Sequence, residues 1–400
     1  MAEEITLSVM QQLVGDVEDV LQPLLDEFKA ETRIQVKLQV LNWSEGMDTL
    51  LQTALHGEGV DVSEVGTTWI SSFVAMNSLQ PIQPADLRVV GFESDYLPGP
   101  WNTCKVAGGD QIWAMPWMVG MRVLFYRRDL FEKAGLDPRT AFETYDQFKL
   151  TFQALRESGV EYPWAVPTVP TLNTLHYVAN WIWSAGGDFV SQDGQKVLFN
   201  SPESIAGLKK YYELGRFLPQ PAKALDPDHV SDYFWKKGKT AALIGGPWQL
   251  PAYEDIALPE VWENLGIVPL PGIAFLGGSD LVIWEHVRNK VAAVRLVGFL
   301  TSDRVQKIYA PHVGLYPVRR ETLASPQFSE DPVLGELVTR FETGRAYPAV
   351  SLWGVIERRL PRTLSDIWQA YLKDPNTDLE ALIKTNINAL ANRLSLILQR

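Results

Sequence analysis

Ala114-Met-Pro-Trp-Met-Val-Gly-Met-Arg-Val-Leu-Phe-Tyr-Arg-Arg128 decides the reading of the chain. Its apolar run predicts one strand into Pro116-Trp117, an irregular step, and a second strand from Val123 to Tyr126. Proline has no N–H to give a sheet ladder, so Pro116 belongs at a strand end or edge. The step is therefore expected to carry the chain from one sheet to another, flanked by the flat ring of Trp117 and the cationic fork of Arg122. Two lobes follow, with this step as one hinge and a ligand beside it.

The chain before the step supports an α/β class. Ile5, Leu7 and Val9 alternate as in a strand, and Val17, Val20, Leu21, Leu24, Leu25 and Phe28 fall on one helical face. Strand, helix and strand patterns recur to Val65, a β-α-β-α-β opening that predicts a mostly parallel sheet flanked by helices. Ligands of such sheets bind beyond the carboxyl ends of the strands, here the loops Leu13 to Asp16, Asn42 to Glu45, and Gly66 to Trp69. Two further crossings are expected, at Leu265 to Pro271 and at Gly314-Leu-Tyr-Pro317. The lobes are then discontinuous: 1–118 with 272–314, and 119–271 with 315–400. The chain shows no repeat and no low-complexity linker, as lobes sharing several crossings require. Four hundred residues also exceed what one core of roughly 250 to 300 residues accommodates.

A net charge of −12 excludes the basic surface that nucleic acid or an anionic membrane needs. The lone Cys104 forms no internal disulfide and is read as a small buried residue. The start, Met1 to Val9, carries neither the basic segment nor the apolar run of a secretory signal, so either a cytoplasmic protein or one whose leader has been replaced by an initiating methionine is expected. No 18-residue apolar run is present to span a membrane. Gly57-Glu-Gly-Val-Asp-Val62 lacks the last glycine of a dinucleotide fingerprint and precedes a strand. Gly238-Lys-Thr240 has Tyr233 where a P-loop needs its first glycine, and Gly277-Gly-Ser-Asp-Leu281 lacks the closing glycine of a nucleophile elbow. The five histidines (56, 176, 229, 286 and 312) have no metal-ligand spacing. Neither a cofactor nor a catalytic group is expected.

Fourteen tryptophans are the unusual feature, several beside Gly or Pro in loops. Collinear with them run Asp61-Val62 and Gly66-Thr-Thr-Trp69, Leu79-Gln-Pro-Ile82, Trp113-Ala-Met-Pro-Trp117, and Arg122 through Leu136. Ala185-Gly-Gly-Asp188, Phe199-Asn-Ser-Pro202, Gly238 to Ala242, Gly246-Pro-Trp248, Leu276-Gly-Gly-Ser-Asp280, Gly314 to Pro317 and Trp353 complete the series. In this order they resemble the extracellular solute-binding proteins of bacterial ABC importers, in the carbohydrate-binding group similar to maltose-binding protein. The resemblance covers about Ile5 to Leu396. It implies a two-lobe periplasmic-binding-protein-like fold with three hinge crossings that closes on a sugar. It also implies delivery to membrane permease subunits, a periplasmic or otherwise extracytoplasmic location with the leader removed (lipid-anchored or not), and no catalysis; a monomer is expected. Two departures stand out: Ser72 and Gly120-Met121 occupy places where the family commonly carries an acid.

Sugar recognition needs flat aromatic faces and planar polar groups in a largely apolar cleft. Trp248, after Gly-Gly-Pro at a strand end, is the first candidate platform, followed by Trp353, Trp69, Trp117 and Trp43. Trp181 and Trp183, two apart on a helix, do not share a face. Asp280, after Gly278 and Ser279, is read as an exposed acid at a tight backbone entry. Glu45 and Asp16 are candidate acceptors or helix caps, and Arg122 a hydroxyl ligand or the partner of an acid. Thr68 adds a hydroxyl, and Tyr316 narrows the pocket. The ligand expected is a mono- to trisaccharide or glycoside. A carbohydrate-active enzyme, and the same fold binding a polyol, glycerol phosphate or another non-sugar solute, remain open alternatives.

Overall fold

The structure, a computed structural model, describes residues 3–11, 16–219, 222–331 and 335–398. The part of the first strand-end loop at 13–15 lies outside the described residues. The chain forms two compact units: 1–121 with 247–252 and 276–354, and 122–246 with 253–275 and 355–400.

The first unit is built on β1 (Glu3–Met10), α1 (Val17–Thr32), β2 (Ile34–Leu41), α2 (Trp43–His56), β3 (Val62–Gly66) and α3 (Ile70–Ala75). The alternation read in the sequence is real. Ile5, Leu7 and Val9 are buried, and α1 buries Val17, Leu21, Leu24, Leu25 and Phe28 as one stripe. Asp16 starts α1 by accepting the Glu18 N–H on its carboxylate, satisfying an otherwise orphaned helix donor. β4 (Ala114–Met121), β9 (Leu276–Ile283) and β10 (Tyr316–Pro317) complete a six-stranded sheet in the order β10-β4-β9-β3-β1-β2.

That sheet is mixed rather than mostly parallel. β1 runs parallel to β2 and β3, whereas β3–β9, β9–β4 and β4–β10 are antiparallel. Parallel neighbours require a crossover returning the chain to the same end, and α1 and α2 supply this only among the first three strands. The second unit's sheet is mixed for the same reason. Between β5 (Val123–Arg127), β6 (Tyr162–Ala165), β7 (Thr240–Gly245) and β8 (Leu265–Pro269) the order is β6-β7-β5-β8, and only β6–β7 is parallel.

The opening stretch needs two corrections. Its irregularity at Pro116-Trp117 is a bulge inside β4, where the register against β9 slips between Pro116 and Met118. The chain leaves the first unit at Met121–Arg122 instead. The expected second crossing contains β8 of the second unit, and the first unit resumes at Leu276. Gly314 to Pro317 stays in the first unit because β10 pairs with β4, and the later passage falls at Gly354–Val355.

Aromatic packing consumes most of the rings. In the second unit Phe142, Phe148, Phe152, Trp164, Trp181 and Tyr211 form one chain of edge and stacked contacts. Trp183 donates its indole N–H to Asp188 and packs on Phe189. Trp181 and Trp183 are therefore both core residues.

Candidate functional site

Strand register gathers the sequence candidates of the first unit. Gly66 pairs with Ser279, Ser279 with Met118, and Met118 with Pro317, one row across β3, β9, β4 and β10. Thr68, Trp69, Gly278, Asp280, Trp117 and Tyr316 all lie within a few residues of that row. Gly278 has φ +132, and a Cβ there would sit 2.1 Å from the Met118 carbonyl oxygen, so only glycine fits. The bulge opposite it turns Trp117 into the interior.

Trp117 is fully buried and stacks on Tyr309 with ring centroids 4.9 Å apart and planes 12° from parallel. Its role is packing, which corrects its reading as a ligand platform. Trp353 is also buried, stacked 4.1 Å from Tyr347. Trp69 is buried beneath Trp43 in an edge contact of 5.7 Å, and it covers Gly66. Trp43, at the first turn of α2, is half-buried; Thr68 is half-buried too, and Glu45 is exposed.

Trp248 occupies a turn after β7, as its Gly-Gly-Pro context predicts, and is half-buried. Its ring lies over Gly120, where a Cβ would stand 3.6 Å from it and 2.8 Å from Leu315. The glycine at one expected acid position thus lets Leu315 and Trp248 close over the strand. The other, Ser72, lies beside Gly354, a Cβ of which would be 3.2 Å from its hydroxyl.

Asp280 is not exposed: it is wholly buried mid-strand. Antiparallel partners share a sheet face, so Asp280 points with Val65 and Val282 toward Thr103 and Cys104, into the hydrophobic core. Burial raises its pKa to about 8, although the Thr103 and Cys104 contacts pull the other way. Ser279 points to the opposite face with Glu64, an acid the sequence reading passed over. Glu64 is also buried, accepts the Met10 N–H at 2.7 Å, and is raised by desolvation to about 7. An acid flanked by Val62-Ser63 and Val65 in a short strand pattern was the available clue.

In the second unit, Arg122 is buried and donates from Nη2 to Asn173 Oδ1 at 2.8 Å. Its guanidinium carbon stands 5.5 Å from the Tyr177 ring centre, a cation–π distance. The sequence reading offered a ligand hydroxyl or an acid as partner; the amide of Asn173 and the ring of Tyr177 are among its neighbours in the folded chain. Asn173 begins the helix Thr174–Ser184, which also presents His176, stacked 4.3 Å from Phe275. Desolvation, and after it the Arg122 charge, hold that imidazole well below its usual pKa and so neutral. Asn173, His176 and Tyr177 were missed because nothing in their spacing distinguishes a polar helix start from an ordinary cap.

The model of the bacterial extracellular solute-binding protein family matches residues 15–307. The diacetylchitobiose-binding protein DasA of Streptomyces coelicolor is 26% identical over 346 residues, covering 84% of this chain and 77% of that protein. The sugar-binding protein MalE of Xanthomonas citri superposes with a TM-score of 0.83 over 99% of this chain and 97% of its own, at 23% identity. Maltose-bound MalE3 of T. maritima gives a TM-score of 0.81 at 26% identity, over 99% and 100%. The chain belongs to the bacterial extracellular solute-binding proteins.

Proposed function

We propose that this solute-binding protein captures a small carbohydrate, a mono- to trisaccharide or glycoside, and delivers it to the permease subunits of an ABC importer. The observation carrying the reading is the family match over most of the chain. The disaccharides named for two relatives, diacetylchitobiose and maltose, support the ligand class. The work is capture and closure of the two units on the sugar, without turnover, by an extracytoplasmic monomer.

Trp248 and Trp43, the candidate indoles left partly open, supply stacking faces for the sugar's C–H patches. Thr68 and Glu45 supply hydroxyl and carboxylate partners in the first unit, and Arg122, held by Asn173, contributes a rigid donor in the second. Trp69 supports Trp43 from beneath.

Intrinsic fluorescence and thermal shift against monosaccharides, disaccharides, trisaccharides, glycosides and polyols test the reading. Ligand at about 100 times its Kd adds roughly 2.7 kcal/mol of stability, well within either method. Saturable binding without product formation is expected. Silence across the sugars with a response to a polyol, a phosphate or a peptide would overturn it.

A further inference from the structure

On the side of the Trp248 turn that carries Pro247 and Pro251, the first unit contains a cavity of about 160 Å³. Gly314 creates it. With φ +66 and a would-be Cβ 2.3 Å from Trp248 Cα, it brings the segment before Tyr316 directly against the turn. Pro247, Pro251, Pro311, Leu315 and Phe328 wall the space, and three of these five residues have no backbone N–H to offer. Tyr316 also lines it, its ring fixed by Phe341 at 4.8 Å and Phe328 at 6.4 Å. The Tyr316 hydroxyl is buried and has no hydrogen-bond partner among the described residues.

A buried hydroxyl beside an apolar space is a directional group awaiting a partner. Burial, and after it the Asp331 carboxylate that lines the same cavity, push the phenol's pKa up, so Tyr316 keeps its proton and acts as a donor. Asp331 disfavours an anion. Besides Tyr316 only Gln327 and Asp331 bring polar side chains to walls that are otherwise proline, leucine, glycine and phenylalanine, fewer than the hydroxyls of a sugar ring ask for. The volume matches the roughly 150 Å³ apolar cavities that accept one benzene-sized ring.

We propose that this cavity is a second ligand site, taking a compact single-ring alcohol or phenol whose hydroxyl oxygen accepts from Tyr316. The site is independent of the carbohydrate reading: its walls are mostly apolar, with Tyr316, Gln327 and Asp331 as the polar side chains, and its fate does not follow that of the sugar assay.

Titration calorimetry of the full chain with phenol and cyclohexanol, against benzene and benzylamine, tests it. Phenol and cyclohexanol are expected to bind saturably and more tightly than benzene or benzylamine. Tyr316→Phe should weaken phenol about fivefold, the usual scale of one neutral hydrogen bond, and leave benzene unchanged. Leu250→Trp, which places a larger side chain in the same wall, should abolish phenol binding in a variant that still melts cooperatively. The proposal fails if neither alcohol binds, if benzene or benzylamine binds as tightly as phenol, or if Tyr316→Phe leaves phenol affinity unchanged.

Discussion

Gly314→Ala separates two costs that a glycine at this position avoids. The first is conformational: φ +66 lies in the left-handed region, where an L side chain costs about 1–2 kcal/mol. The second is steric. The new Cβ would lie 2.3 Å from Trp248 Cα, 3.0 Å from Trp248 N and 3.1 Å from Pro251 Cγ. Backbone atoms cannot rotate away, so the turn itself must shift, an overpacking cost of roughly 1–3 kcal/mol. Together these give about 2–5 kcal/mol. Gly57→Ala in the same unit is the control. Its φ is +63 at the end of α2, and a Cβ there meets nothing within 4 Å, so it carries only the conformational cost. Urea denaturation followed by tryptophan fluorescence should show Gly314→Ala less stable than Gly57→Ala by the steric difference. Sugar affinity should also fall in Gly314→Ala alone, because Trp248 has moved. Equal destabilisation by the two substitutions would refute the close approach as the reason for Gly314.

Three further outcomes follow from named contacts. Trp248→Ala should weaken sugar binding by at least roughly tenfold, the scale of a lost hot-spot contact, in a titration of the folded variant; unchanged affinity removes it from the site. Asn173→Ala should cost about 1.5–3 kcal/mol in chemical denaturation, because it removes a hydrogen bond to the buried Arg122 guanidinium. A loss below about 0.5 kcal/mol would mean another group holds the arginine equally well. A double-mutant cycle on Trp43 and Trp69 should return a coupling of about 0.5–1.5 kcal/mol for their edge contact, and zero coupling would show that the two rings contribute only by burial.

The β-α-β-α-β opening was legible because each of its elements buries one face, leaving period-2 and period-3.6 signatures at Ile5 to Val9 and Val17 to Phe28. The turn position of Trp248 was legible from Gly246-Pro247, because a proline has no N–H to extend the ladder of β7. What failed was depth. Trp117 beside Pro116 looks like a loop residue, yet the bulge aims it at Tyr309, and a bulge is set by the partner strand rather than by its own residues. The sheets' mixed directions were hidden for a related reason: β9 joins the first sheet only after the chain has passed through the second unit, a non-local event. Gly314 to Pro317 has the composition of a crossing, and only its pairing with β4 shows that it is none.

Asp280 is where the sequence reading and the structure diverge most, and desolvation explains how the acid tolerates its place, by keeping it neutral. Thr103 Oγ1 lies 2.7 Å from the Pro100 carbonyl oxygen and 3.0 Å from Asp280 Oδ2. A hydroxyl has one proton, so Thr103 shares it between two accepting oxygens, the Pro100 carbonyl and the Asp280 carboxyl. The contact with Asp280 favours the ionised carboxylate. Desolvation acts the other way and outweighs it, lifting the pKa from 3.8 to about 8. Below pH ~4 the carboxyl is protonated in both folded and unfolded chains, and its burial carries no penalty for ionisation. Between there and pH 8 the unfolded chain ionises while the folded one does not, so stability falls as pH rises, by at most about 1.4 kcal/mol per unit, and levels off above the folded pKa. Glu64, raised from 4.5 to about 7, adds a similar decline over its own narrower window. Asp280→Asn keeps an amide oxygen that accepts from Thr103 and has nothing to ionise. Urea midpoints at pH 5 and pH 8 should therefore drop less for Asp280→Asn than for the parent chain, with the two stabilities closest at the higher pH. Identical pH slopes would mean that Asp280 is ionised in the folded state, its contacts with Thr103 and Cys104 outweighing desolvation.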